Sequence, residues 1–139
     1  MIAIDSSIAL AWCFGDERTP AINAVESMLV ASQGVVPVLW RFEVANVLLM
    51  AERRKRITSE RRQEYLHALA KYPLEIDTDG LYQTDQNIFQ LAVAFGLTIY
   101  DASYLELSIR RNLPLATLDK ELRTAALANK LILLPDTIS

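Results

Sequence analysis

Ile2-Ala3-Ile4-Asp5-Ser6-Ser7-Ile8-Ala9-Leu10-Ala11-Trp12-Cys13-Phe14-Gly15 is the stretch from which the fold can be read. Ile2–Asp5 reads as a buried strand, apolar and β-branched until the carboxylate of Asp5 closes it. From Ser6 or Ser7 the pattern becomes that of a helix reaching Phe14, and Gly15 stops it. A short apolar strand feeding a helix is the first half of a βαβ unit. The acid at the junction is conspicuous, because a carboxylate at an apolar edge is costly to bury unless it is paired or bound to metal.

The alternation continues outward from this unit. Thr19-Pro20 supplies an N-cap and a proline at the first helical position, opening a helix toward Ser32 with Ile22, Val25, Met28 and Leu29 at helical spacing. Gly34 lies just past its end. Val35–Leu39 is β-rich, with Pro37 marking an irregularity. A helix over about Arg41–Arg56 follows, its turns traced by Phe42, Ala45, Leu48 or Leu49, and Glu52. Thr58 or Ser59 caps another helix, which ends before Pro73. Leu74-Glu75-Ile76 is a weaker strand, Tyr82–Phe95 a helix, and Gly96 its C′ residue. A further helix opens near Asp101 and carries Ala102, Leu105 and Ile109 inward. Leu115–Thr117, Lys120–Ala128 and Leu131–Leu134 read as strand, helix and strand. Such alternation implies one α/β domain over residues 1–139, with a parallel sheet covered on both faces. Ligands of such sheets bind outside the carboxyl ends of the strands, and Asp5 and Asp119 both sit at that rim.

Composition narrows the class. The chain has 139 residues, 52% of them hydrophobic, and no apolar run near the ~20 residues that span a membrane. The opening residues lack the basic region of a signal peptide, so a cytoplasmic location is expected. Cys13 is the only cysteine and His67 the only histidine. Cys13 reads as a small buried hydrophobe and His67 as a helix-surface residue, with no partner for thiol, triad or zinc chemistry. Net charge is −3, yet residues 53–62 carry six Lys+Arg and one Glu. That local charge of +5 on an otherwise acidic chain is either a solvated helix end or a surface for a phosphate backbone, with Arg53, Arg54, Lys55 and Arg56 as the candidates.

Glu43, Asp101 and Asp119 share the setting of Asp5, each standing where an apolar segment ends or an apolar helix face begins. Taken singly, each also reads as a helix cap or loop residue. Taken together, three or four converging carboxylates without His or Cys suit Mg²⁺ or Mn²⁺, which take oxygen ligands, and suit zinc poorly. Such an ion polarises a phosphoryl oxygen and lowers the pKa of an attacking water. Ser6 and Thr117 place hydroxyls beside Asp5 and Asp119, fit to support ligands. A phosphatase of the D-x-D-x-T type is disfavoured, since Asp5-Ser6-Ser7-Ile8-Ala9 lacks the second Asp. A receiver domain is disfavoured because adjacent acids are missing after the first strand. A non-catalytic acidic module binding a basic partner segment remains open.

Four segments, in order, resemble those of the PIN-domain family, and within it the VapC-type toxin ribonucleases of toxin–antitoxin pairs. They are Met1-Ile2-Ala3-Ile4-Asp5-Ser6-Ser7, Trp40-Arg41-Phe42-Glu43-Val44-Ala45-Asn46-Val47-Leu48, Tyr100-Asp101-Ala102-Ser103-Tyr104-Leu105-Glu106-Leu107 and Leu115-Ala116-Thr117-Leu118-Asp119-Lys120-Glu121-Leu122. The resemblance implies a three-layer fold with a five-stranded parallel sheet of order 3-2-1-4-5. It implies Mg²⁺- or Mn²⁺-dependent RNA cleavage, with Asp5, Glu43, Asp101 and Asp119 as metal-binding and catalytic acids and Ser6 and Thr117 as supporting hydroxyls. Asp5 and Asp101 would ligate metal, Glu43 would ligate it or position the water, and Asp119 would complete the site. It also implies a homodimer and a small antitoxin partner.

Overall fold

In the computed structural model, which describes residues 1–138, five parallel strands form one sheet: β1 (Ile2–Ile4), β2 (Gly34–Pro37), β3 (Leu74–Asp77), β4 (Leu115–Ala116) and β5 (Leu133–Leu134). Their order is β3-β2-β1-β4-β5, all pairs parallel, as the family resemblance implies. Flanking helices are α1 (Ser6–Cys13), α2 (Pro20–Ala31), α3 (Leu39–Arg53), α4 (Ser59–Leu69), α5 (Phe89–Phe95), α6 (Ile99–Arg111) and α7 (Lys120–Ala128). The first strand in the sequence is thus the central one, with β2 on one side and β4 on the other.

Helix boundaries follow local chemistry. Thr19, Thr58 and Thr98 cap α2, α4 and α6 by accepting the N–H groups of Ile22, Arg61 and Asp101. Gly96 ends α5 at φ +64°, a left-handed position that glycine adopts at little cost. The helix expected over Tyr82–Phe95 is regular only from Phe89. Before it come a 3₁₀ turn at Asp79–Gln83 and a π turn at Thr84–Ile88. The third helix begins at Leu39, so β2 is shorter than expected. Its inward stripe is Trp40, Val44, Leu48 and Ala51, while Phe42 is 74% exposed. The i, i+4 spacing runs from Trp40, and a phase set from Phe42 is off by half a turn.

The helix α6 is the core helix. Residues Ala102 through Ser108 are all buried, packed on β1, β2 and β4 with α5 and α7 alongside. Each buried Leu of this kind stabilises the fold by roughly 1.5–3 kcal/mol relative to exposure. His67 is exposed on α4, as expected, whereas Cys13 is only partly buried, with burial pushing its thiol up to about 11. Among the described residues no single helix is long and apolar enough to cross a membrane.

Candidate active site

Sheet register builds the site. Ala3 pairs with Leu115 and Ile4 with Ala116, so the next residues, Asp5 and Thr117, leave the sheet side by side. Asp5 then stops β1 and opens α1, only 4% exposed. The Thr117 hydroxyl donates to Asp5 Oδ2 at 2.6 Å while accepting the N–H of Asp119 at 3.1 Å. The Ser7 hydroxyl donates to the same oxygen at 2.8 Å while accepting the N–H of Leu118 at 3.0 Å. A hydroxyl has one proton, so these backbone N–H groups force both protons toward Asp5. Ser6 adds a longer bond to Oδ1 at 3.3 Å. Burial raises the Asp5 pKa, and the Thr117, Ser7 and Ser6 bonds pull against it.

Glu43 arrives from α3, directly behind the exposed Phe42. Its Oε1 accepts a short hydrogen bond from the Tyr104 hydroxyl. Burial, reinforced by the charges of Asp5 and Asp101 and opposed by Tyr104, pushes Glu43 up to about 6. Tyr104 is fully buried, and burial plus the charges of Asp5 and Glu43 hold its phenol well above the usual range. It lies three residues after Asp101, on the same face of α6.

Asp101 occupies the first turn of α6. Burial raises its pKa, followed by the charges of Asp119 and Asp5, with a smaller push from Glu121. Asp119 is the N-cap of α7, where Oδ1 accepts the Leu122 N–H at 2.8 Å. The cap reading therefore holds for Asp119 and occupies one of its two oxygens. All four acids share one electrostatic neighbourhood at the carboxyl rim.

The contrast with other buried acids is informative. Asp77 and Glu106 are about as buried as Asp5, and both are neutralised by Arg110. Among the described residues, Asp5, Glu43, Asp101 and Asp119 have no Lys or Arg partner. Coupled carboxylates without a cation fit a hard divalent ion, which offsets their repulsion and takes oxygen ligands. The carboxyl groups themselves stand spread apart: among the described residues, no three acidic, His or Cys side chains lie close enough together to hold one ion. Like charges repel, and the bonds to Tyr104 and Leu122 hold Glu43 and Asp119 in place.

Two contributors carry little signal in the sequence. Ser7 stands beside the equally plausible Ser6, yet it makes the shorter bond to Asp5. Tyr104 reads as core by composition, and only its position one turn after Asp101 hints at more. The basic cluster lies elsewhere. Arg53 ends α3, ten residues and about 15 Å along the helix from Glu43. Arg56 pairs with Asp16 and Glu17 at 3.2 and 3.5 Å and covers the Phe14 ring at 4.0 Å, while Arg53, Arg54 and Lys55 are exposed.

A family model described as the PIN domain matches residues 2–127. The chain belongs to the PIN domain family. The structure of PAE2754 from Pyrobaculum aerophilum superposes on this PIN domain with a TM-score of 0.70 at 22% identity, covering 95% of this chain and 82% of that one. VapBC2 from Rickettsia felis, bound to a DNA fragment from its promoter, gives 0.67 at 16% identity, covering 96% and 97%. FitAcB from Neisseria gonorrhoeae gives 0.67 at 13% identity, covering 96% of each chain. No curated protein sequence matches the chain. At these identities the structures show the PIN fold alone.

Proposed function

We propose that this PIN domain is a metal-dependent endoribonuclease, the toxin of a toxin–antitoxin pair of the VapC type. PIN domains are generally nucleases and typically depend on a divalent metal. The observation that carries the reading is the set of four carboxylates without a cationic partner among the described residues, with Asp101 feeling the charges of Asp5 and Asp119 and Glu43 those of Asp5 and Asp101, at the rim where α/β sheets bind ligands. Fold neighbours solved as VapBC2 and FitAcB support the toxin assignment.

Asp5 and Asp101 would hold Mg²⁺ or Mn²⁺, with Asp119 completing the site through its uncapped oxygen. The ion, when bound, supplies charge for the phosphoryl oxygen and acidifies water. Glu43, raised to about 6, is suited to take a proton from the attacking water at Oε2, since a general base works best near the ambient pH. Ser7 and Thr117 hold Asp5 in one orientation, and Ser6 supports it. Arg53, Arg54 and Lys55 would guide the RNA backbone some 15 Å along α3 from the acids. Arg56, engaged with Asp16 and Glu17, would do so less. A small antitoxin and a second copy of the chain are the protein partners, in the cytoplasm. Exposed Phe89 and Val93, one turn apart on α5, support such contacts.

The test is to incubate defined RNAs with wild type and Asp101→Asn, with Mn²⁺, Mg²⁺ or chelator, and map the ends. Cleavage by the wild type alone, and only with metal, is expected. Equal cleavage by both proteins, or cleavage in chelator, would overturn the reading.

A further inference from the structure

We infer that Phe42 and Tyr100 are base-stacking residues of the acidic rim, holding nucleobases of the RNA beside the phosphodiester that the acids address, and that they select an unpaired strand. The inference rests on the proposed nuclease reading and adds how the substrate is held. Each ring immediately precedes an acid of the site, Phe42 before Glu43 and Tyr100 before Asp101. Phe42 is 74% exposed and Tyr100 63%, and neither pairs with another aromatic ring among the described residues. Two contacts bring these aromatic–acid pairs onto facing helices. The Tyr104 hydroxyl of α6 donates to Glu43 of α3, and Ser103 of α6 lines the same apolar cavity as Leu39, Phe42, Leu81 and Ile88. Tyr100 lies three and four residues before Ser103 and Tyr104, hence on the same face of α6, one turn nearer its N-terminus.

The neighbours of the rings decide what covers them. Cores of protein–protein interfaces are depleted of charge. Here the rings are interleaved with Glu43 and Asp101, which have no Lys or Arg partner among the described residues. An apolar protein surface seated on Phe42 and Tyr100 would strand both carboxylates. A nucleobase instead stacks through its face, whatever its sequence, and leaves its polar edge in water. Its phosphate then lies beside the acids, where the proposed metal offsets both charges. Only bases free of a duplex can be splayed onto such rings. Stacking needs the ring and not the Tyr100 hydroxyl.

The experiment measures fluorescence anisotropy of a labelled, mixed-sequence single-stranded RNA, and of an equally long strand of abasic nucleotides. Both are titrated in Mg²⁺ with the Asp5→Asn protein, chosen to prevent cleavage, with and without changes at the two rings. Adding Phe42→Ala or Tyr100→Ala should weaken RNA binding about tenfold each, the loss of about 1.4 kcal/mol of stacking. Binding of the abasic strand should stay the same, and Phe42→Trp and Tyr100→Phe should keep the parent affinity for RNA. Alanine variants that hold RNA as tightly as the parent overturn the inference, as do equal losses for the RNA and the abasic strand. Unchanged RNA affinity with an altered mass by light scattering assigns the rings to a protein contact, also overturning it. In these cases metal-dependent cleavage by the wild type leaves the nuclease reading standing. A wild type that neither binds nor cleaves the RNA overturns the proposed function, and this inference with it.

Discussion

Arg110 reaches from the last turn of α6 to the end of β3 and grips Asp77 with both terminal guanidinium nitrogens, at 2.7 and 3.2 Å. Its Nε donates to Glu106 at 2.7 Å, and Gly80 adds a backbone N–H to Asp77 at 3.0 Å. Burial pushes the Asp77 carboxyl up, but the Arg110 and Gly80 bonds outweigh it and hold the pKa below its usual value. Removing one partner of such a pair leaves uncompensated buried charge. Arg110→Ala should therefore lower stability by about 3 kcal/mol or more, read as a reduced midpoint in urea. An unchanged midpoint would assign the pair to the solvated surface.

Metal-free stability should depend on pH through Glu43. Its folded-state pKa, about 6, lies above the ordinary value of 4.5, so its contribution is present below pH ~4.5 and lost as pH rises through ~6. Asp5 and Asp101, also raised, act in the same direction. Glu43→Gln mimics the protonated acid. It should melt above the wild type at pH 7.5 by about 1 kcal/mol of stability, a shift discounted for partial exposure, and converge with it near pH ~4.5. Parallel melting curves across that window would contradict this.

Divalent metal should reverse that deficit. At a concentration about a hundredfold above its dissociation constant, Mg²⁺ or Mn²⁺ adds about 2.7 kcal/mol to the native state. Calorimetry should show a rise in melting temperature for the wild type and little or none for Asp101→Asn. RNA cleavage by Asp101→Asn or Asp5→Asn should fall about a thousandfold, the loss of ~4 kcal/mol of transition-state stabilisation.

Thr117→Val should cost more than its lost contact with Asp5. The hydroxyl also satisfies the Asp119 N–H, so the variant strands that donor and leaves Asp5 Oδ2 with the Ser7 bond alone. A loss of about 1–3 kcal/mol is expected by chemical denaturation, with weaker metal binding besides. Thr117→Ser, which restores the hydroxyl, should recover most of the metal affinity.

Replacing Arg53, Arg54 and Lys55 with Ser should flatten the logarithmic salt dependence of RNA binding by about 2, three phosphate contacts at ~0.7 each. Arg56→Ala should instead lower stability, because that guanidinium covers Phe14 and pairs with Asp16 and Glu17. A retained salt slope in the triple variant would remove the cluster from the RNA path.

What the sequence can disclose follows the range of each interaction. Strand ends and helix caps depend on neighbouring residues, so the roles of Asp5, Thr19 and Gly96 as element boundaries are legible from their surroundings. The sheet order comes from family resemblance, since no local signal states which strand lies beside which. Arg110 looks like a basic helix ending, because its partner Asp77 is 33 residues away and belongs to another element. Tyr104 looks like core for a similar reason: the sequence shows a ring to be buried, but not Glu43 waiting 61 residues upstream. Phe42 misleads because apolar side chains signal burial only statistically, and the inward phase of α3 is set by Trp40.

The central place of β1 bears on how the protein is made. Its partner β4 and the hydroxyl of Thr117 lie more than a hundred residues downstream, so Asp5 emerges from the ribosome long before Thr117 can orient it. One edge of β1 is covered early by β2, while the other stays open until β4 arrives. Under the proposed function, the site is complete only once Thr117 and Asp119 have been made, so the nascent chain carries an unassembled site through most of its own translation.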